Sequence, residues 1–159
     1  MLWNGAIHSL KKYKFRKKPI MEKKLITWSE KYSVGYDEID NQHKRLVEMI
    51  NELYDSFKQG DANAIIENIL MEMIKYTDYH FKTEETYFAK YHYSDAITHI
   101  SEHQSFVEQV SKFYDDYKDG SVMLSYDVMN FLRDWLINHI QGSDRKFGSE
   151  YQNQNIITL

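Results

Sequence analysis

From Asp37 onward, apolar and neutral residues recur at three- and four-residue intervals, the period of one helix face. In the first stretch the positions are Ile39, His43, Leu46, Val47, Ile50, Leu53, Tyr54 and Phe57, with Asp37 placed as an N-cap and Gln59-Gly60-Asp61 as the break. A second stretch, from about Ala62 to Tyr91, carries Ile66, Ile69, Met73, Tyr76/Thr77, His80, Glu84 and Tyr87/Phe88. A third opens near Ser94-Asp95 with His99, His103, Phe106/Val107, Val110, Phe113/Tyr114 and Tyr117, and stops at Asp119-Gly120-Ser121. The fourth holds Leu124, Val128, Phe131/Leu132, Trp135/Leu136, His139 and Ile140, with Gly142 read as its C-terminal end. Four such segments with short breaks predict an all-α, antiparallel up-down-up-down four-helix bundle. Ahead of it, residues 25–36 are aromatic and irregular, suited to an arm packed along the bundle, and residues 148–159 read as a C-terminal tail, with a short extra helix an option.

Composition agrees with this. A single proline and six glycines in 159 residues leave long helices uninterrupted. The absence of cysteine excludes disulfides, thiolate metal sites and cysteine nucleophiles. The net charge of −4 conceals an asymmetry: residues 1–24 hold eight Lys/Arg against Glu22 alone, and the rest of the chain is acidic. An acidic body argues against nucleic-acid binding by the folded part. The basic head is suited to RNA or an anionic membrane surface, but the plainer expectation is a solvated, disordered extension. It matches a transit peptide poorly, and Met21 is an alternative start that would make residues 1–20 an artefact. No apolar run approaches the ~20 residues of a membrane span, and a cytoplasmic monomer is expected.

The chemistry lies in the histidines. Of His8, His43, His80, His92, His99, His103 and His139, five fall on core-facing stripes, at least one from every helix. His8 belongs to the basic head and His92 to the turn before the third helix. One histidine on an apolar face is ordinarily a hydrogen-bonded core residue. Five buried imidazoles without partners would each cost several kcal/mol, roughly, unless a metal took their lone pairs. Antiparallel topology puts His43 early in one helix, His80 late in the next, His99 and His103 early in the third and His139 late in the fourth. All five therefore reach one level of the bundle. Glu84, four residues after His80, shares that level, and Asp144, five after His139, reaches it from a fraying end. Buried carboxylates need a cation. Five imidazoles and two carboxylates exceed what a four-coordinate zinc takes and suit two metals with bridging carboxylates. Carboxylate-rich di-iron proteins use Glu-x-x-His pairs, and no glutamate here has a histidine three residues later.

The order His43, His80-x-x-x-Glu84, His99-x-x-x-His103, His139-x-x-x-x-Asp144 resembles the signature of the bacterial hemerythrins over residues 25–147. Flanking residues agree, including Trp28-Ser29, Asp40-Asn41-Gln42-His43, Tyr91-His92-Tyr93 and Trp135-Leu136. The resemblance implies two iron ions joined by an oxo or hydroxo bridge. His99, His103 and His139 would hold one, His43 and His80 the other, with Glu84 and Asp144 bridging. Dioxygen would bind reversibly at the two-histidine iron, and no enzymatic activity is expected. Trp135, Leu136 and Ile140 are candidates to line the pocket. The same resemblance admits an oxygen or redox sensor, or an iron- and peroxide-handling protein. A remoter reading takes His99-Ile-Ser-Glu102-His103 as the HxxEH of a zinc metallopeptidase, with Glu102 as general base; otherwise Glu102 and Glu85 are placed on the helix surface.

Overall fold

The computed structural model describes residues 23–61 and 63–157. The basic extension assigned to residues 1–24, with His8 and the alternative start at Met21, lies outside the described residues except for Lys23 and Lys24, which are exposed. Four antiparallel helices make the bundle: α1 (Asp37–Gln59), α2 (Asn63–Tyr91), α3 (Ala96–Lys118) and α4 (Tyr126–His139). Neighbours pack in sequence, α1 on α2 and α2 on α3, and α4 closes against α1.

The ends of the helices follow from local chemistry. Gly60, at φ 69°, ends α1 in the left-handed conformation, where the Asp61 N–H donates to the Ser56 carbonyl at 3.1 Å. His92 does the same for α2 at φ 52°, and the Tyr93 N–H reaches back to Phe88 at 3.0 Å. It is an exposed capping residue. Ser125 caps α4, its side chain accepting from the Val128 N–H. Asp37 is the first helical residue of α1 rather than its cap, which is Tyr36. The carboxylate that organises this end is Asp40, which accepts from the Val34 N–H at 2.8 Å and from the Ser33 hydroxyl at 2.5 Å. Further up the arm, Asn51 pins residue 26 from both sides. The Ile26 N–H donates to its Oδ1 at 3.0 Å, and its Nδ2 donates to the Ile26 carbonyl at 2.9 Å.

The core stripe of α2 runs Ile66, Leu70, Met73, Thr77, His80, Phe81, Glu84 and Phe88. Leu70, in place of the expected Ile69, is fully buried, and Phe81 joins it.

Gly142 does not end the fourth helix. The chain passes from α4 through a π-helical turn, Ile140–Asp144, directly into α5, Arg145–Ile157. Gly142 keeps an ordinary right-handed conformation, and tertiary contacts beyond it outweigh its ~1 kcal/mol helix penalty. Phe147 is buried against Phe88 and Tyr93, at ring-centroid separations of 4.9 and 5.2 Å. Gly148 lies so close to the arm that a Cβ there would stand 2.3 Å from the Val34 carbonyl oxygen. The expected tail thus packs on the bundle as a fifth helix. Among the described residues, no helix is long and apolar enough to cross a membrane.

Candidate metal centre

His43, His80, Glu84, His99, His103, His139 and Asp144 are all buried and meet at one level of the bundle. Their donor atoms form two sets, each within 4.8 Å of one another: Glu84, His99, His103, His139 and Asp144, and His43, His80, Glu84 and Asp144. The two carboxylates are common to both. Asp144 turns Oδ1 toward His99 at 3.0 Å and His139 at 3.1 Å, and Oδ2 toward His43 at 3.1 Å. Glu84 sets Oε2 3.2 Å from His103 and 3.6 Å from His80, and Oε1 3.8 Å from His43.

Helix geometry explains the placement. His80 and Glu84, like His99 and His103, are four apart and stack on one face. A residue five after His139 would turn well off that face in a regular α-helix. The π-turn, with its wider i→i+5 repeat, carries Asp144 back to it.

The chemistry of these donors fits cations. The Nε2 atoms of His99 and His103 each lie 3.0 Å from the Nε2 of His139. His103 presents Nδ1 to Glu85 at 3.4 Å and His139 presents Nδ1 to Glu102 at 3.0 Å. With the N–H on Nδ1, both Nε2 atoms aim lone pairs at each other, an arrangement that a shared positive charge makes favourable. Both oxygens of Glu84, both of Asp144 and both ring nitrogens of His43 lack a hydrogen bond, although all are buried.

Electrostatics point the same way. Burial, then the Asp144 charge, pushes the Glu84 carboxyl well above the usual range, because two buried carboxylates cannot both ionise unaided. Burial also opposes the charge on Asp144, but His139, His43 and His99 outweigh it and hold this carboxyl well below the usual range. Burial, then His43, lowers His80 well below its ordinary value. Burial, then His139 and His99, lowers His103 to about 2. His139 goes the other way: burial disfavours its charge, yet Asp144 and Glu102 raise its pKa.

A second layer of side chains orients these rings. The Gln42 Oε1 meets the His80 Nδ1 at 2.9 Å. Phe81 stacks on His103 at 3.8 Å and 3°, and Trp135 on His139 at 4.4 Å and 16°. Glu85 and Glu102 do lie toward the surface, with side chains 35% and 41% exposed, but both turn a carboxylate inward onto a histidine of another helix. Glu102 stands behind His139, on the ring edge away from the Nε2 atoms. The HxxEH reading needs it between His99 and His103. Nothing in the spacing of the chain relates Glu102 to His139 or Glu85 to His103. Gln42 carried a signal, as the neighbour of His43 in Asp40-Asn41-Gln42-His43. His92 stays outside the cluster.

The chain is similar to known proteins over most of its length. A model of the family described as the hemerythrin HHE cation binding domain matches residues 34–150. A bacteriohemerythrin of Pseudomonas aeruginosa is 35% identical over 119 residues, covering 75% of this chain and 76% of that one. A bacteriohemerythrin of Methylococcus capsulatus is 33% identical over 125 residues, covering 78% and 95%. A hemerythrin-like protein of Naegleria gruberi is 34% identical, covering 76% and 88%. The crystal structure of a wild-type hemerythrin superposes with a TM-score of 0.75 at 32% identity, covering 79% of this chain and 96% of that one.

Proposed function

This chain belongs to the hemerythrin family, and on that premise we propose that it binds dioxygen reversibly, as a carrier or store, at two iron ions held by seven buried side chains. The observation that carries this reading is the pair of overlapping donor sets that share Glu84 and Asp144. His99, His103 and His139 would hold one iron, His43 and His80 the other, and each carboxylate would give an oxygen to both. The iron pair would supply the electrons that make dioxygen binding possible.

The chain's own work is to arrange and to exclude. One set offers three imidazoles and the other two, so the second leaves room for an exogenous ligand. Beside the site lies a cavity of about 20 Å³ lined by Leu46, Ile50, Met73, Thr77, Phe81, Phe106, Leu132, Trp135 and Leu136. Its one polar liner, Thr77, already donates its hydroxyl to the Met73 carbonyl at 2.8 Å. An apolar space of this kind stays dry, and a dry pocket favours a small uncharged guest and keeps out the water and protons that would drain the bound state. Trp135 and Leu136 thus support the pocket role expected of them. Ile140 is fully buried but does not line this cavity.

The test is dioxygen uptake by anaerobically iron-loaded protein. The reading expects one dioxygen taken up per two irons and returned when the gas phase is exchanged for argon. Uptake that is consumed and never returned would contradict it.

A further inference from the structure

The fourth helix reaches the centre through its π-turn, and one side chain from α3 grips both ends of that turn. The Glu102 Oε2 faces the His139 Nδ1 at 3.0 Å. The same oxygen accepts the Ser143 hydroxyl at 2.6 Å. His139 precedes the turn Ile140–Asp144, and Ser143 directly precedes Asp144. A single carboxylate oxygen therefore spans the segment that separates a candidate terminal histidine from a candidate bridging carboxylate. A π-turn is an uncommon helical geometry that needs outside support to persist. Gly142, inside it, adds backbone freedom, and a Cβ built there would meet nothing within 4 Å, so no side chain packs the turn at that point.

The other histidines lack an equivalent. His80 is anchored by the neutral amide of Gln42, and His103 only loosely by Glu85 at 3.4 Å. The outer nitrogens of His43 and His99 have no partner. The anionic anchor at normal hydrogen-bond distance thus falls on His139 alone.

We propose that Glu102 is the positioning residue of the centre: it clamps the π-turn through His139 and Ser143, so that the His139 Nε2 and the Asp144 carboxylate face the ions together. The proposal rests on the metal reading above but not on what the ions then bind. Clamping acts through two separable properties. The acceptor oxygen fixes His139 as its Nδ1–H tautomer with Nε2 directed inward, and the negative charge makes that imidazole a stronger donor. A stronger donor favours the ferric over the ferrous ion and lowers the midpoint potential.

Replacement at one position separates the two. Glu102→Gln keeps an acceptor oxygen and removes the charge. Glu102→Ala removes both, and Ser143→Ala releases the far end of the turn. Ferrous affinity is read by competition with a colorimetric chelator, midpoint potential by titration with dyes, and the His139 tautomer by NMR of the zinc-loaded protein. Glu102→Ala is expected to weaken iron binding about 10- to 100-fold and to lose the single His139 tautomer. Glu102→Gln is expected to keep most of the affinity and shift the potential upward, and Ser143→Ala to lose affinity with a smaller change in potential. Wild-type affinity, potential and tautomer in a folded Glu102→Ala would overturn the proposal. Fewer than two ions in the wild type would instead contradict the two-iron reading. The zinc-loaded tautomer still reports on the clamp in that case: a single Nδ1–H form lost in Glu102→Ala supports it, and one unchanged in that variant overturns it.

Discussion

Asp144 stands five residues beyond His139, yet its Oδ1 lies 3.1 Å from the His139 Nε2. The π-turn between them reconciles the spacing with the contact. It also carries the chain past the centre into α5, which seals that end of the bundle with Phe147.

Deleting Gly142 tests that geometry. One residue fewer converts the turn to ordinary α-helix and brings Asp144 to a four-residue spacing on the same face, so α5 keeps its phase relative to α4. Phe147 and Gly148 would then keep their contacts with Phe88 and Val34. The expected result is a folded bundle with α5 docked, while one alanine inserted after Gly142 rotates α5 by about 100° and leaves fewer than two irons per chain by metal analysis. Asp144→Asn, which leaves α5 in place, is expected to lower iron content with little loss of helix by circular dichroism.

Metal removal leaves buried groups whose contributions to stability each depend on pH with a definite sign. In the metal-free protein His80 and His103 have folded pKa values below the unfolded value of 6.5, His103 at about 2. The unfolded state therefore binds more protons below pH 6.5, and the stability these two groups contribute at neutral pH is lost as pH falls from there toward 2. Glu84 has the opposite sign: its raised pKa favours the fold at low pH, and that contribution is lost as pH rises through the folded value. At neutral pH, Glu84→Gln should thus stabilise the metal-free protein, by about 1–3 kcal/mol on the scale of a relieved buried polar group, while impairing iron loading. Denaturant melts of metal-free wild type and variant at pH 7 and pH 5 provide the check.

The apolar pocket should protect as well as admit. Leu136 is buried beside His139 and lines the small cavity. Leu136→Ala is expected to cost about 2–5 kcal/mol of stability and to let water approach the centre. The visible band formed with dioxygen should then decay severalfold faster than in the wild type, followed by stopped-flow and slow-scan absorbance.

The arm offers a control remote from the chemistry. Asn51 satisfies both the N–H and the carbonyl of Ile26 in a buried position. Asn51→Ala leaves both unpaired, and a loss of about 1–3 kcal/mol in urea denaturation is expected. Iron content should stay at the wild-type level.

Much of this arrangement is legible in the chain alone, for a physical reason. Helical periodicity is local, so the stripes of α1 to α4 announce themselves, and antiparallel order then brings His43, His80, Glu84, His99 and His103 to one level. For Asp144 the chain alone suggests a fraying end at Gly142, where the structure has a π-turn, because glycine is read as a stop wherever tertiary contacts are unknown. Leu70 and Ile69 are adjacent apolar residues, and only the docking of α2 selects which one faces the core. Glu85 and Glu102 read as surface residues because their partners, His103 and His139, sit on other helices. A contact of that kind has no spacing to betray it. The basic extension and His8 lie outside the described residues.

The central claim is a reversible two-iron site, and one experiment addresses both halves. The protein is loaded with ferrous iron without air, iron per chain is counted, and dioxygen is admitted and withdrawn while the visible spectrum is recorded. The account predicts two irons per chain and an absorption band that rises with dioxygen and vanishes on its removal over repeated cycles. Fewer than two irons, or a band that forms once and decays to a ferric product, would contradict it.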